Sequence, residues 1–235
     1  MPAMPRPSSR SGSSAPLSQP AAGSARFVTF EGPEGSGKTT QVQLLADHLR
    51  ALGLTVVSVR EPGGTLIGEE IRHTLQHSQD NRAMTPEAEL LLINASRAQL
   101  VREIIRPALD AGHWVLSDRF FDSTTVYQGF GRLLDPAHVQ TVIDIAVGST
   151  RPARTFLLMI PPALSRQRLQ QRRQIAAPVR DRMEEADAAF FERVERGYRA
   201  LAACEPGRVR LIDAAADVSL VEAAIWNEVQ PLLNR

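Results

Sequence analysis

A short apolar run, Phe27 to Phe30, leads almost at once into Gly32-Pro33-Glu34-Gly35-Ser36-Gly37-Lys38-Thr39, a complete match to G-x-x-x-x-G-K-[ST]. Few sequence features restrict a fold so tightly. The glycines let the backbone turn until successive N–H groups converge on phosphate oxygens. That geometry needs a strand to deliver the loop and a helix to leave it with the positive end of its dipole facing the anion. In such a loop Lys38 reaches the β and γ phosphates, and the Thr39 hydroxyl suits Mg²⁺. Lys38 is also the chain's single lysine; every other of its 27 Lys and Arg residues is arginine. GC-rich codon usage explains the arginines, but not why lysine stands at this one position. A compact ammonium on a thin stem is what a tight loop accommodates, and a guanidinium is not equivalent to it.

Further candidate strands are Thr55 to Val59, Trp114 to Ser117, Thr155 to Ile160 and Val209 to Ile212. Between the first two strands Val42, Leu45, Leu49 and Leu52 share a helical face, and Gly53 is a stop signal. Helical patterns also cover Pro86 towards Pro107, Pro136 to Val147, Ala163 to Arg173, Met183 to Ala203 and Val218 to Leu233. Strands separated by helices of this length predict an α/β fold, a parallel five-stranded sheet with helices on both faces. Ligands of such sheets sit beyond the carboxyl ends of the strands, so chemistry belongs just after each apolar run. Residues 1–25, rich in Ser, Pro, Ala and Gly and without an acid, are expected to form a disordered extension, with the folded domain over residues 26–235.

Composition narrows the function. The formal net charge of +1 supplies no broad basic field, which argues against a dedicated nucleic-acid or membrane-surface binder. No uninterrupted apolar run has the length of a membrane span. Cys204 is the only cysteine, so there is neither an internal disulfide nor a cysteine zinc cluster, which suits a cytoplasmic location.

Two more strand ends carry motifs. The second strand runs into Arg60-Glu61-Pro62-Gly63-Gly64-Thr65, with Arg72 beyond it. Asp118-Arg119 closes the third and is followed by the polar segment Asp122-Ser123-Thr124-Thr125-Val126-Tyr127-Gln128-Gly129. An Asp there can hold the hydration shell of Mg²⁺ beside Thr39, and Arg119 can bridge donor and acceptor phosphates. The variable positions of the loop contain no arginine, so charge on a migrating phosphoryl group needs another cation. Arg166, Arg168, Arg172, Arg173, Arg180 and Arg182 follow the fourth strand, and we read residues 166–184 as an arginine-rich lid that excludes water. Arg172, Arg173, Arg180 and Arg182 are its catalytic candidates.

Taken together, the Gly32–Thr39 loop with Thr40, REPGGT at Arg60–Thr65, Ser96-Arg97, Asp118-Arg119-Phe120 and Tyr127-Gln128-Gly129 closely resemble the bacterial thymidylate kinases, over roughly Arg26 to the C-terminus. The resemblance implies the nucleoside monophosphate kinase fold, usually dimeric, and the reaction ATP + dTMP to ADP + dTDP with Mg²⁺. It also implies the subtype whose catalytic arginine comes from the lid. By motif position Glu34 accepts from the deoxyribose 3′-hydroxyl, Arg72 and Arg119 grip the acceptor phosphate, Arg97 and Gln128 bond the thymine edge with Thr124 alongside, and Tyr127 lies against the sugar. Glu61 falls near the acceptor or the metal. Planar guanidinium forks suit phosphate oxygens at both arginine positions.

Two positions depart from the family pattern. Ile93 stands where an aromatic residue usually stacks on the base, one helical turn before Arg97; Met159 stands where the fourth strand often carries an acid. Kinases of dUMP, dCMP or a deoxynucleoside share the loop and the Asp118-Arg119 pair and differ in the base pocket. A guanine-nucleotide switch needs an Asn-Lys-x-Asp loop, and the only lysine is already in the phosphate loop.

Overall fold

A computed structural model describes residues 25–175, 182 and 186–233, with the side chains of residues 172–175 outside that description. Residues 1–24 of the expected extension, Arg180, and the side chains of Arg172 and Arg173 therefore lie outside the described residues.

The strands are β1 (Phe27–Glu31), β2 (Val56–Arg60), β3 (Trp114–Asp118), β4 (Arg154–Met159) and β5 (Val209–Asp213). They form one parallel sheet in the order β2-β3-β1-β4-β5. β1 is central, with Phe30 opposite both Asp118 and Phe156, so the loop after β1 opens beside the end of β3. Alternation along the strands feeds two faces. Val28, Phe30, Leu116, Phe156 and Leu158 pack against Val42, Leu45 and Leu49 of α1 (Lys38–Ala51) and Val221, Ile225 and Val229 of α9 (Val218–Leu233). On the opposite face Phe27 and Val115 meet Leu90 and Leu100 of α3 (Pro86–Leu100) and Val139 and Ile143 of α6 (Pro136–Val147). Leu157, Met159 and Val209 meet Phe190, Val194 and Tyr198 of α8 (Ala188–Cys204). Met159 thus fills an apolar cluster with Tyr127 and Phe190, and no polar side chain is needed at that position.

Several helix limits differ from the sequence reading. The helix from Pro86 continues past Pro107: a π-type stretch, Val101–Ile105, leads into α4 (Arg106–Asp110). The widened turn accommodates a proline that lacks an N–H. α7 spans Pro162–Ile175. α8 starts at Ala188, where the Asp187 side chain accepts the Phe190 N–H and caps it; the expected start at Met183 lies outside the described residues. The polar segment after β3 is helical, as α5 (Phe121–Thr124) and a π-type stretch Thr125–Gly131, since Phe121 and Val126 anchor it in the core. A short α2 (Leu66–Arg72) follows β2, capped by Thr65, whose hydroxyl accepts the Gly68 N–H.

Candidate active site

The loop between β1 and α1 is held by backbone geometry. Gly32 has φ 137°, and a Cβ there would lie 2.2 Å from the Leu158 carbonyl oxygen, so only glycine fits. Gly37 sits at φ 91° immediately before α1. Lys38 is buried and curls back, donating from Nζ to the Gly32 oxygen at 3.1 Å and the Pro33 oxygen at 3.0 Å. Burial lowers its pKa, and the nearby Arg119 guanidinium adds to the effect. Thr39 Oγ1 donates to Asp118 Oδ2 at 2.6 Å, joining the first turn of α1 to the end of β3. From α7, Ser165 Oγ donates to the Glu34 carbonyl at 2.7 Å and Arg168 Nη1 to the Gly35 carbonyl at 3.1 Å.

Arg119 follows β3 with φ 70°, a left-handed conformation that costs a non-glycine residue about 1–2 kcal/mol. The surroundings hold it there. Its N–H donates to the Phe30 oxygen at 2.9 Å and its carbonyl accepts from Ser117 Oγ at 2.6 Å. Its guanidinium pairs with Glu34, donates to Ser123 Oγ at 3.0 Å and lies 5.2 Å from the Tyr127 ring centre. Behind it stands Glu31, wholly buried at the end of β1. This carboxylate accepts from the Phe120 N–H at 2.8 Å, the Ser123 N–H at 3.0 Å, Ser123 Oγ at 2.5 Å and Tyr198 OH at 3.1 Å. Burial pushes the Glu31 pKa up to about 7 against the pull of Arg119.

A second cluster surrounds Arg97, which is only 1% exposed. Nε donates to Glu61 Oε2 at 2.8 Å, Nη1 to Asn94 Oδ1 and Thr124 Oγ1 at 2.8 Å each, and Nη2 to the Phe120 oxygen at 3.1 Å. The Glu61 carboxylate is also 2.6 Å from Nη2. Arg97 thus reaches the predicted pocket with its donors already committed to protein acceptors, and in this state it fixes Glu61, Asn94 and Thr124 in place. Burial raises the Glu61 pKa and Arg97 opposes the rise. Gln128, predicted on the same edge, donates from Nε2 to Glu89 Oε1 at 2.8 Å.

One cavity of about 290 Å³ gathers these groups. Lys38, Thr39 and Asp118 line the end beside the loop together with Glu34, Gly35 and Gly37. Glu61, Arg72, Ile93, Arg97, Arg119, Thr124, Tyr127 and Gln128 line the remainder. Arg72 additionally donates from Nη1 to the Pro62 oxygen at 2.9 Å. Of the four lid candidates, Arg182 is the one whose side chain is described; it pairs with Glu89 and donates to the Met84 oxygen at 2.9 Å. Among the described arginines of that stretch it is Arg168 that bonds the loop.

Sequence reasoning missed Glu31, Glu89, Arg132, Tyr198 and Gln76. Glu31 left a signal, an acid closing an apolar strand directly before the loop. Tyr198 left none, because only the fold brings α8 to the end of β1. Asp122, read with the polar segment, is a structural anchor: Arg208 grips it at 2.6 and 2.7 Å, and Thr155 Oγ1 donates to it at 3.0 Å.

A family model described as thymidylate kinase matches residues 30–225. The chain belongs to the thymidylate kinase family. It is 46% identical over 208 residues to thymidylate kinase of Methylococcus capsulatus, covering 88% of this chain and 96% of that protein. Thymidylate kinase of Geotalea uraniireducens is 48% identical over 200 residues, 85% of this chain and 93% of that one. The crystal structure of thymidylate kinase from Ehrlichia chaffeensis superposes with a TM-score of 0.69 at 31% identity, covering 87% of this chain and 97% of that chain. Membership in this family makes the chain an ATP-dependent nucleoside monophosphate kinase that phosphorylates dTMP to dTDP. Among the described residues no helix is long and apolar enough to cross a membrane.

Proposed function

We propose that the loop from Gly32 to Thr39 holds the phosphates of ATP and that dTMP occupies the adjoining cavity, so that phosphoryl transfer runs in line between them, with Mg²⁺ bound. The observation that carries this reading is that one cavity joins the loop lysine to the acceptor-side residues. Buried polar atoms that find no partner among the described residues support it: Ser36 Oγ in the loop, and Glu61 Oε1 and Gln76 Oε1 of two residues lining the cavity. Such atoms are costly unless a ligand or water satisfies them.

On this reading Lys38 leaves its loop carbonyls for the β and γ phosphates, and Arg72 and Arg119 take the acceptor phosphate. Glu34, already paired with Arg119, accepts from the 3′-hydroxyl. Tyr127 lies along the sugar, while Ile93, Thr124 and Gln128 surround the base. Arg97 frames that pocket and contributes to the base by exchanging one protein bond. Oxygens of Thr39 and Asp118, 2.6 Å apart at the loop, are hard donors of the kind Mg²⁺ accepts, directly or through its waters. When bound, the ion neutralises charge on the phosphates. The protein's own work is to position two anions and stabilise their shared charge; no general base is needed, because the acceptor oxygen is already ionised near neutral pH. Residues 166–184 form the lid on this reading, and Arg172, Arg173, Arg180 and Arg182 are its candidate cations.

A homodimer fits the surface. α2, α3 and α6 pack side by side and expose Leu66, Ile67, Leu91 and Ile145. We assign the enzyme to the cytoplasm, in keeping with its lone exposed Cys204.

A panel of monophosphates assayed with ATP, with and without Mg²⁺, tests the scheme. dTMP should be phosphorylated at the highest kcat/KM, and only with the metal. Preference for CMP or AMP, or full activity without a divalent ion, would overturn it.

A further inference from the structure

Glu89 lies on α3 one turn before Ile93 and two turns before Arg97, so the three share a helix face. Ile93 and Arg97 line the cavity, whereas Glu89 is fully buried behind Gln128. Four donors converge on it. Gln128 Nε2 reaches Oε1 at 2.8 Å, Arg132 Nε reaches Oε1 and Nη2 reaches Oε2 at 3.1 Å each, and Arg182 pairs with Oε2. Burial opposes ionisation here, but the Arg132 fork and the other donors outweigh it and hold the carboxyl below its ordinary pKa. An ionised carboxylate only accepts hydrogen bonds. The amide of Gln128 must therefore turn its nitrogen to Glu89, which leaves its oxygen unengaged by Glu89 in a residue that lines the cavity.

This orientation bears on base choice. A pinned amide oxygen accepts a hydrogen bond and cannot give one. Thymine and uracil present an N3–H; cytosine presents a bare lone pair at the same ring position. We propose that Glu89 is a specificity-determining positioning residue, which fixes the Gln128 amide so that its oxygen accepts an imide N–H and repels the N3 lone pair of an aminopyrimidine. A freely rotating glutamine would serve either base equally well by turning over. A buried polar group left unpaired by the wrong ligand is the strong form of discrimination. The inference rests on the assignment of Gln128 to the base.

Steady-state kinetics with dTMP and dCMP, on the full chain and its variants, tests it. Gln128→Ala should raise the KM for dTMP at least tenfold; an unchanged KM removes Gln128 from the base and the inference with it. Glu89→Gln lets the Gln128 amide turn over, and should raise the KM for dTMP while kcat changes less. Its kcat/KM ratio for dTMP over dCMP should fall at least tenfold. Glu89→Asp keeps the charge facing Arg132 and Arg182 but withdraws the oxygen from Gln128 by one methylene, and should shift the ratio in the same direction. In a Gln128→Ala background, Glu89→Gln should leave the ratio where Gln128→Ala put it. If Gln128→Ala weakens dTMP yet both folded Glu89 variants keep the wild-type ratio, Glu89 has no part in base choice and the reading of Gln128 stands alone. A further fall in the double variant would show that Glu89 acts by another route, and would equally overturn the proposal.

Discussion

The two ends of the cavity are built by different means. At the loop, backbone does most of the holding: glycines set the turn, and Lys38 rests on the carbonyls of its own loop. At the far end, buried side chains hold one another, Arg97 with Glu61, Asn94 and Thr124, and Glu89 with Gln128 and Arg132. Phosphate is common to every nucleotide and can be met by main chain and a mobile charge. Bases differ, and telling them apart needs side chains whose polar atoms are fixed before the ligand arrives. The same split separates rate from stability: a residue whose partners change during the reaction belongs to catalysis, while one that closes a buried network also belongs to the fold.

Substitution at Lys38 should show the first half of that contrast. On the proposed reading Lys38→Ala removes the charge that meets the migrating phosphoryl group, and kcat should fall by about 10³-fold or more, on the scale of other preorganised donors. Its thermal midpoint should stay close to wild type. Retained turnover would break the assignment of the loop. Arg97→Met should do the reverse. It leaves Glu61 buried without its counter-charge and should cost about 3–5 kcal/mol in urea unfolding. If Arg97→Met proves as stable as the parent, the far end is not the interlocked network described above.

Glu31 stands where the two halves meet, since it backs Arg119 through Ser123 and Tyr198. Its carboxyl has an ordinary pKa of 4.5 when exposed and about 7 in the fold. The folded state therefore binds the proton more tightly than the unfolded chain. The stabilisation is fully present below pH 4.5, declines as pH rises, and is lost once pH passes about 7. A shift of this size corresponds to roughly 3 kcal/mol across the window. Glu31→Gln stays neutral at every pH, so the stability difference between the variant and wild type should grow in the variant's favour from pH 5 to pH 8. Parallel pH profiles for the two proteins would contradict this.

The strands, their parallel arrangement and most of the cavity's lining were legible because each motif follows an apolar run, and parallel sheets bring such ends to one edge; the order of the strands was not. Arg72, Gln128 and Asp118 are all on the cavity for that reason. What could not be read was how the side chains pair. Motif position assigns Arg97 to the base, and its donors point into a network assembled from α3, the residue after β2 and the segment after β3. Glu89 resembled an ordinary first-turn acid of a helix. Its role depends on Arg132 and Arg182, which are distant in sequence and become its neighbours only through folding.

The smallest expected effect concerns the cavity wall. Ile93 lies on the face of α3 shared with Arg97 and lines the cavity. With dTMP bound as proposed, this aliphatic side chain would give the base contact area but no ring to stack against. Ile93→Phe adds ring-on-ring contact worth about 1 kcal/mol, which lowers the KM for dTMP roughly fivefold. The gain should appear in KM and leave kcat almost unchanged, because the base is equally bound in ground and transition states. It should extend to dUMP and dCMP as well, since every pyrimidine offers a face. Stacking would then strengthen hold without changing choice, while fixed polar atoms such as the Gln128 amide govern choice. An Ile93→Phe variant that altered the dTMP to dCMP ratio as strongly as its KM would show that shape, and not only hydrogen bonding, discriminates at this end of the cavity.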